Sequence, residues 1–248
     1  MQKILFTVLS LPILFGTCHS QPKASYFEPV AVVELFTSEG CSSCPPADRI
    51  LSRLTAETQR DHRRIYTLSF HVDYWDRLGW RDPYSSSANS DRQRQYAELM
   101  KLQSVYTPQM IVNGRIEFVG SDQSKLNDAI KKALSLNSTA SFSKLNVTAK
   151  EGQKIAVNYE AKGDIKGCEI HFALVSKHES TAVKRGENGG HQLDHTNVVR
   201  QFLTIPAAAQ GEATFDLSPV PDGNNWLVIA YIQHTDDLRI IAAAEANP

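Results

Sequence analysis

Between residues 30 and 134 the apolar positions follow two rhythms in turn. Residues 30–36 are apolar at all but one position and predict a strand covered on both faces, after which Ala47, Ile50, Leu51 and Leu54 share one helical stripe. Residues 65–72 predict a second strand. A long polar and aromatic connection through residues 76–83 leads to a weaker helix carrying Tyr96, Leu99 and Met100. Residues 109–112 and 116–119 flank Asn113-Gly114, a strong two-residue hairpin signal. Leu126, Ala129, Ile130, Ala133 and Leu134 form the cleanest helical stripe, with Asp122 placed to cap it. The predicted order is βαβαββα.

Beyond a short polar joint at residues 135–140 the pattern changes to short alternating runs separated by Gly, Asp, Asn and Pro. Strands are predicted near 142–149, 154–160, 168–176, 197–205, 212–217, 226–234 and 239–244. Seven short strands suggest a small all-β sandwich. The expected organisation is an α/β domain over residues 30–136 followed by a β-sandwich domain over 141–248.

The chain opens Met1-Gln2-Lys3, continues with an apolar stretch to Gly16 and closes it with Thr17-Cys18-His19-Ser20. This reads as a secretory signal peptide over residues 1–20, cut after Ser20, with an N-terminal linker at 21–29. The stretch is short of the roughly 20 residues that span a bilayer, so no transmembrane helix is expected. A second reading makes Cys18 the acylated first residue of a lipoprotein. Both place the folded chain outside the cytoplasm, periplasmic or secreted, where cysteine pairs persist oxidised.

Composition narrows the partners. The 26 Lys and Arg balance 27 Asp and Glu, with no long basic run, so neither nucleic acid nor an anionic membrane surface is an expected partner. Beyond Cys18, three cysteines remain: Cys41, Cys44 and Cys168. Cys168 lies in an alternating run and reads as a buried, inert thiol. Cys41 and Cys44 follow a buried strand and open an amphipathic helix, with Cys41 at the helix mouth and the two sulfurs one turn apart. A free thiol of pKa about 8.5 is only about 3% ionised at pH 7, and half ionisation needs roughly 2 kcal/mol of thiolate stabilisation. The helix dipole supplies about 0.3 to 2 kcal/mol, and Pro45 and Pro46 remove amide donors, so other hydrogen bonds must contribute. The alternatives are a static disulfide or half of a zinc site, although no second ligand pair stands at finger-like spacing.

The strand 33–36 leading into Cys41-Ser42-Ser43-Cys44, followed by Tyr106-Thr107-Pro108-Gln109-Met110-Ile111-Val112-Asn113-Gly114, resembles the thioredoxin superfamily across residues 30–134. The chain is similar over nearly its whole mature length to a family of secreted bacterial thioredoxin-like proteins catalogued as a domain of unknown function. That resemblance lies in Phe36-Thr37-Ser38-Glu39-Gly40-Cys41, Val72-Asp73-Tyr74-Trp75-Asp76, Gly79-Trp80-Arg81-Asp82-Pro83, Gly186-Glu187-Asn188 and His195-Thr196-Asn197-Val198-Val199. It brings no established substrate. The superfamily pattern implies that Cys41 attacks, Cys44 resolves, Pro108 is a cis proline against the pair, and the backbone of Thr107 pairs with an extended substrate.

Other residues have two readings each. Glu34 interrupts an apolar strand: it is either a buried acid moving the Cys44 proton or a solvated residue at a strand end. Glu39 reads as an exposed loop acid. Trp75 and Trp80 either wall a substrate groove or pin a loop. His191-Gln192-Leu193-Asp194-His195 superficially resembles a zinc-protease motif, but its upstream glycines argue for a loop, and no metal site is assigned. The expectation is an exported thiol-disulfide oxidoreductase acting on protein thiols or disulfides with a redox partner. It needs no cofactor beyond the Cys41–Cys44 disulfide. The rival is a noncatalytic envelope or secreted binding protein with a structural disulfide.

Overall fold

The computed structural model describes residues 26–150, 154–216 and 225–248. The signal peptide, its lipoprotein alternative at Cys18 and most of the linker lie outside the described residues. The first half supplies β1 (Ala31–Thr37), α1 (Pro45–Asp61), β2 (Ile65–His71), α2 (Ser87–Leu99), β3 (Gln109–Val112), β4 (Ile116–Val119) and α3 (Gln123–Leu134). The second supplies β5 (Ala140–Lys150), β6 (Lys154–Gly163), β7 (Cys168–Ala182), β8 (Gln192–Pro206), β9 (Gln210–Asp216), β10 (Trp226–His234) and β11 (Ile240–Ala246). Local signals explain several boundaries. Ser86 accepts from Asn89 N–H to cap α2, Asp122 accepts from Lys125 N–H to cap α3, and Asn113 and Gly114 take the positive φ values of the hairpin.

These strands assemble differently from the expectation. A single eight-stranded mixed sheet runs in the order β11-β10-β7-β8-β2-β1-β3-β4, and β5-β6-β9 form a second, three-stranded sheet. The fold is therefore mostly β and continuous across both halves, which corrects the predicted βαβαββα domain followed by a separate sandwich. The physical reason lies at β2. Its outer edge is not free: it pairs in parallel with β8 at Ser69 and Val198, and Asn197 Nδ2 donates to the Thr67 carbonyl at 3.1 Å and to Thr67 Oγ1 at 3.0 Å. Nor does β10 alternate as a sandwich strand does. β10 is buried from Trp226 to Gln233, as a central strand covered on both faces must be.

Alternation along β1 sends its side chains into two cores. Val33 and Leu35 pack with Leu51 and Leu54 of α1 and Leu126 and Ile130 of α3. Val32 and Phe36 point the other way, toward Phe70, Tyr96 of α2, Val175 and Tyr231. The three-stranded sheet buries Ile155, Val157 and Phe215 against Phe172, Val228 and Ile232. No helix among the described residues is long and apolar enough to cross a membrane.

Candidate functional site

The chain leaves β1 at Thr37 and turns through residues 38–44 before α1 begins. Ser38 holds this turn, with its hydroxyl accepting from Gly40 N–H at 3.0 Å and its carbonyl from Cys41 N–H at 3.2 Å. Cys44 is the N-cap of α1, with Pro45 and Pro46 opening the helix. Cys41 thus lies one turn ahead of α1, not in the helix mouth, and its environment is set by side chains more than by helix amides.

Both thiols are free and buried, with Cys41 1% and Cys44 0% exposed, and the exposed Ser42 and Ser43 lie between them in the chain. The Cys41 sulfur lies 3.1 Å from Ser43 Oγ and 3.8 Å from the Thr107 carbonyl. The Thr107–Pro108 peptide is cis. A hydrogen bond from the Cys44 thiol, helped by Ser43 and Thr107, outweighs burial and brings the Cys41 pKa down to about 6. Burial, the bond to Cys41 and the nearby Asp48 carboxylate push the Cys44 thiol upward. The two sulfurs therefore share one proton unequally, with the thiolate on Cys41. Cys168 lies apart on β7, where burial pushes it up to about 11.

Glu34 does not serve this pair. It sits on the β1 face opposite α1, fully buried, paired with Arg92 Nε at 2.7 Å and accepting from the hydroxyls of Tyr96 and Tyr231. Neither the proton-carrier reading nor the solvated strand-end reading of Glu34 describes that position. The acid near Cys44 is Asp48, four residues further along α1, whose Oδ2 accepts from the Thr37 hydroxyl at 3.2 Å. Glu39, expected to be exposed, is fully buried.

Trp75 and Trp80 are both half-buried and tie the loop to the site. Trp75 Nε1 donates to Thr107 Oγ1 at 2.8 Å, and Trp80 Nε1 donates to Glu39 Oε2 at 2.7 Å. In these positions the two side chains fasten Thr107 and Glu39.

Several residues of this site carried no role in the sequence reading. The connection from β7 to β8 crosses the cysteine turn, and Glu187 there accepts from Ser42 N–H at 2.9 Å and Ser42 Oγ at 2.7 Å. Asn188 Nδ2 donates to the carbonyls of Glu39 and Cys41 at 2.8 and 3.0 Å. Beneath them lies a buried ionic cluster. His195, which belongs to β8 and not to a loop, places Nε2 3.3 Å from Glu39 Oε1 and Nδ1 3.6 Å from Asp48 Oδ1. His71 Nδ1 lies 2.7 Å from Asp82 Oδ2, which also accepts from Glu39 N–H at 2.8 Å. Asp48 left a signal in its place on the buried stripe of α1 with Leu51, and Glu39, Asp82, Glu187, Asn188 and His195 lie in the segments that carry the family resemblance, which assigned them no role. His191 precedes β8, and among the described residues no group of three or more His, Cys, Asp or Glu is arranged to hold a metal.

Charge in this cluster has a pH consequence. Burial works against the His195 cation, but Asp48 and Glu39 prevail and raise its pKa to about 10. A cation favoured by folding stabilises the native state fully below the unfolded value of about 6.5, and this contribution fades as pH rises through 10. In the oxidised protein, where Cys41 does not titrate, the melting temperature of wild type minus that of His195→Gln should shrink between pH 6.5 and 10. A constant difference across that window would show that His195 is not charged in the fold.

The family described as "Protein of unknown function (DUF1223)" matches residues 32–233. An Agrobacterium tumefaciens protein solved by X-ray crystallography is 27% identical, with a TM-score of 0.64 over 88% of this chain and 94% of that one. HBP35 of Porphyromonas gingivalis is 17% identical, with a TM-score of 0.61 over 90% of this chain and 76% of its own, and shares the fold. No curated protein matches the chain.

Proposed function

The chain belongs to the DUF1223 family, and from the site its fold assembles we propose that it is a thiol-disulfide oxidoreductase of the cell envelope or exterior. The observation that carries this reading is the pair itself: two free, adjacent thiols beside Thr107–Pro108, with one sulfur stabilised as thiolate by the other's proton. The succession of strand, Cys-Ser-Ser-Cys turn, helix and Thr-Pro before a strand supports a link to the thioredoxin superfamily at the level of the site. The apolar N-terminal segment supports export.

In the direction of partner reduction, the Cys41 thiolate attacks one sulfur of a partner disulfide. A mixed disulfide forms and the partner's other sulfur leaves as thiolate, to be protonated by water. Cys44 then loses its proton and attacks the Cys41 sulfur, which releases the partner's second thiolate. Two electrons pass to the partner, which becomes a dithiol, and Cys41 and Cys44 become a disulfide. The reverse sequence oxidises a partner.

Cys44→Ser stops this cycle at the mixed disulfide. Envelope proteins should accumulate on Cys41 of that variant, be released by a small dithiol, and be absent when Cys41 is replaced as well. If nothing is trapped in the native compartment, the disulfide is architectural and the chain is a binding protein.

A further inference from the structure

The cysteine pair is sealed from water, and this raises a question about the resolving step that the pair alone does not answer. Cys44 must give up a proton, yet it is 0% exposed. In the mixed disulfide the Cys41 sulfur is no longer a thiolate, so it no longer accepts that proton. A contiguous run of buried groups begins at Cys44. Thr37, whose hydroxyl lies beside Cys44 and eases its deprotonation, donates to Asp48 Oδ2 at 3.2 Å. Asp48 Oδ1 faces His195 Nδ1 at 3.6 Å, and His195 Nε2 faces Glu39 Oε1 at 3.3 Å. Glu39 Oε2 meets Trp80, half-buried and packed against Gly186.

Resting on the oxidoreductase reading, we propose that Thr37, Asp48, His195 and Glu39 form a proton relay that deprotonates Cys44 and carries its proton toward the surface at Trp80. The Cys44 proton passes to Thr37 as the hydroxyl proton of Thr37 passes to Asp48. As Asp48 loses its charge, the His195 imidazolium beside it, already protonated on Nδ1, gives its Nε2 proton to Glu39. Cys44 and His195 each lose one proton, Asp48 and Glu39 each gain one, and no electrons move along the path.

Three features fit a relay better than a merely structural ion pair. Both His195 ring nitrogens and Glu39 Oε1 are buried without a well-aligned hydrogen-bond partner, so the ring is not locked to either carboxylate. The relay's members come from the cysteine loop, α1 and β8, which the fold brings together at His195. The remaining charged and titratable neighbours are accounted for. His71 lies edge-on to His195 with centroids 4.6 Å apart and is engaged by Asp82. Tyr84 is 5.9 Å away and bonds Thr181 and Glu179. Glu179, opposite His195 on β7, pairs with Arg200.

An aromatic disulfide with a coloured leaving thiolate separates the two steps. Its first thiolate is released when Cys41 attacks and its second when Cys44 resolves. In His195→Gln, the second release should slow relative to the first by about a hundredfold to ten-thousandfold, the range of general acid–base catalysis. It should also rise with pH as hydroxide takes over, where the wild-type rate is flat. Glu39→Gln, which retains the bond from Trp80, should do the same and stands in if His195→Gln does not fold. A purely structural effect would slow both releases together. An unchanged ratio with a normal first release overturns the relay alone; the absence of any first release from wild type overturns the oxidoreductase reading and the relay with it.

Discussion

Glu34→Ala is expected to cost about 3–5 kcal/mol of folding stability, a large share of the roughly 5–15 kcal/mol that holds a domain together. The cause is the charge left behind. Arg92 is buried, its guanidinium lies 4.9 to 5.6 Å from the ring centroids of Phe70, Tyr96, Phe202 and Tyr231, and Glu34 is the carboxylate paired with it. Removing Glu34 also strips the hydroxyls of Tyr96 and Tyr231 of an acceptor. Replacing both charges, as Glu34→Leu with Arg92→Met, should recover most of the loss, because an apolar pair of similar volume leaves no buried charge. Urea unfolding at constant slope measures both. A loss below about 1 kcal/mol for Glu34→Ala would mean that Arg92 finds water. The same experiment separates Glu34 from the redox site, since the double variant should retain its Cys41 chemistry.

Cys44→Ala is expected to produce the largest change in the chemistry of Cys41. The hydrogen bond from Cys44 is the largest influence holding Cys41 at about 6, and burial opposes it. Alanine removes the donor and leaves the burial, so the Cys41 midpoint should climb above 7, toward or past the ordinary thiol value of about 8.5. Ser43 and Thr107 retain a part of the lowering. Thiolate absorbance in the ultraviolet follows the titration directly. A midpoint that stays at about 6 in Cys44→Ala would transfer the effect to Ser43 or the Thr107 segment.

Local features were legible in the sequence because they depend on neighbours in the chain. The Asn113-Gly114 hairpin, the Asp122 cap and the stripe of α1 are each settled within a few residues. The pairing of β2 with β8 is not local, and it joins four strands of the second expected unit to the sheet of the first. A sign of it was nonetheless present: Leu227 to Ile232 is an unbroken apolar run, which suits a strand covered on both faces and not a half-exposed sandwich strand.

The site divides in the same way. Cys41, Cys44 and the Thr107-Pro108 segment stand out in the sequence, and the fold brings them together. Neither of the two readings of Glu34, proton carrier or solvated strand end, matches its place, because a single-residue step along a strand reverses a side chain's direction and Leu35, not Glu34, faces α1. Glu39, His195, Glu187 and Asn188 acquire their places only when the β7–β8 connection closes over the cysteine turn. No spacing rule links residues so far apart.

The whole account depends on the state of one sulfur. In the reduced wild-type protein, the ultraviolet thiolate signal of Cys41 should titrate with a midpoint at about 6, while Cys44 remains a thiol well beyond it. A first midpoint at the ordinary thiol value of about 8.5 would contradict the account, because the pair would then lack a nucleophile at neutral pH.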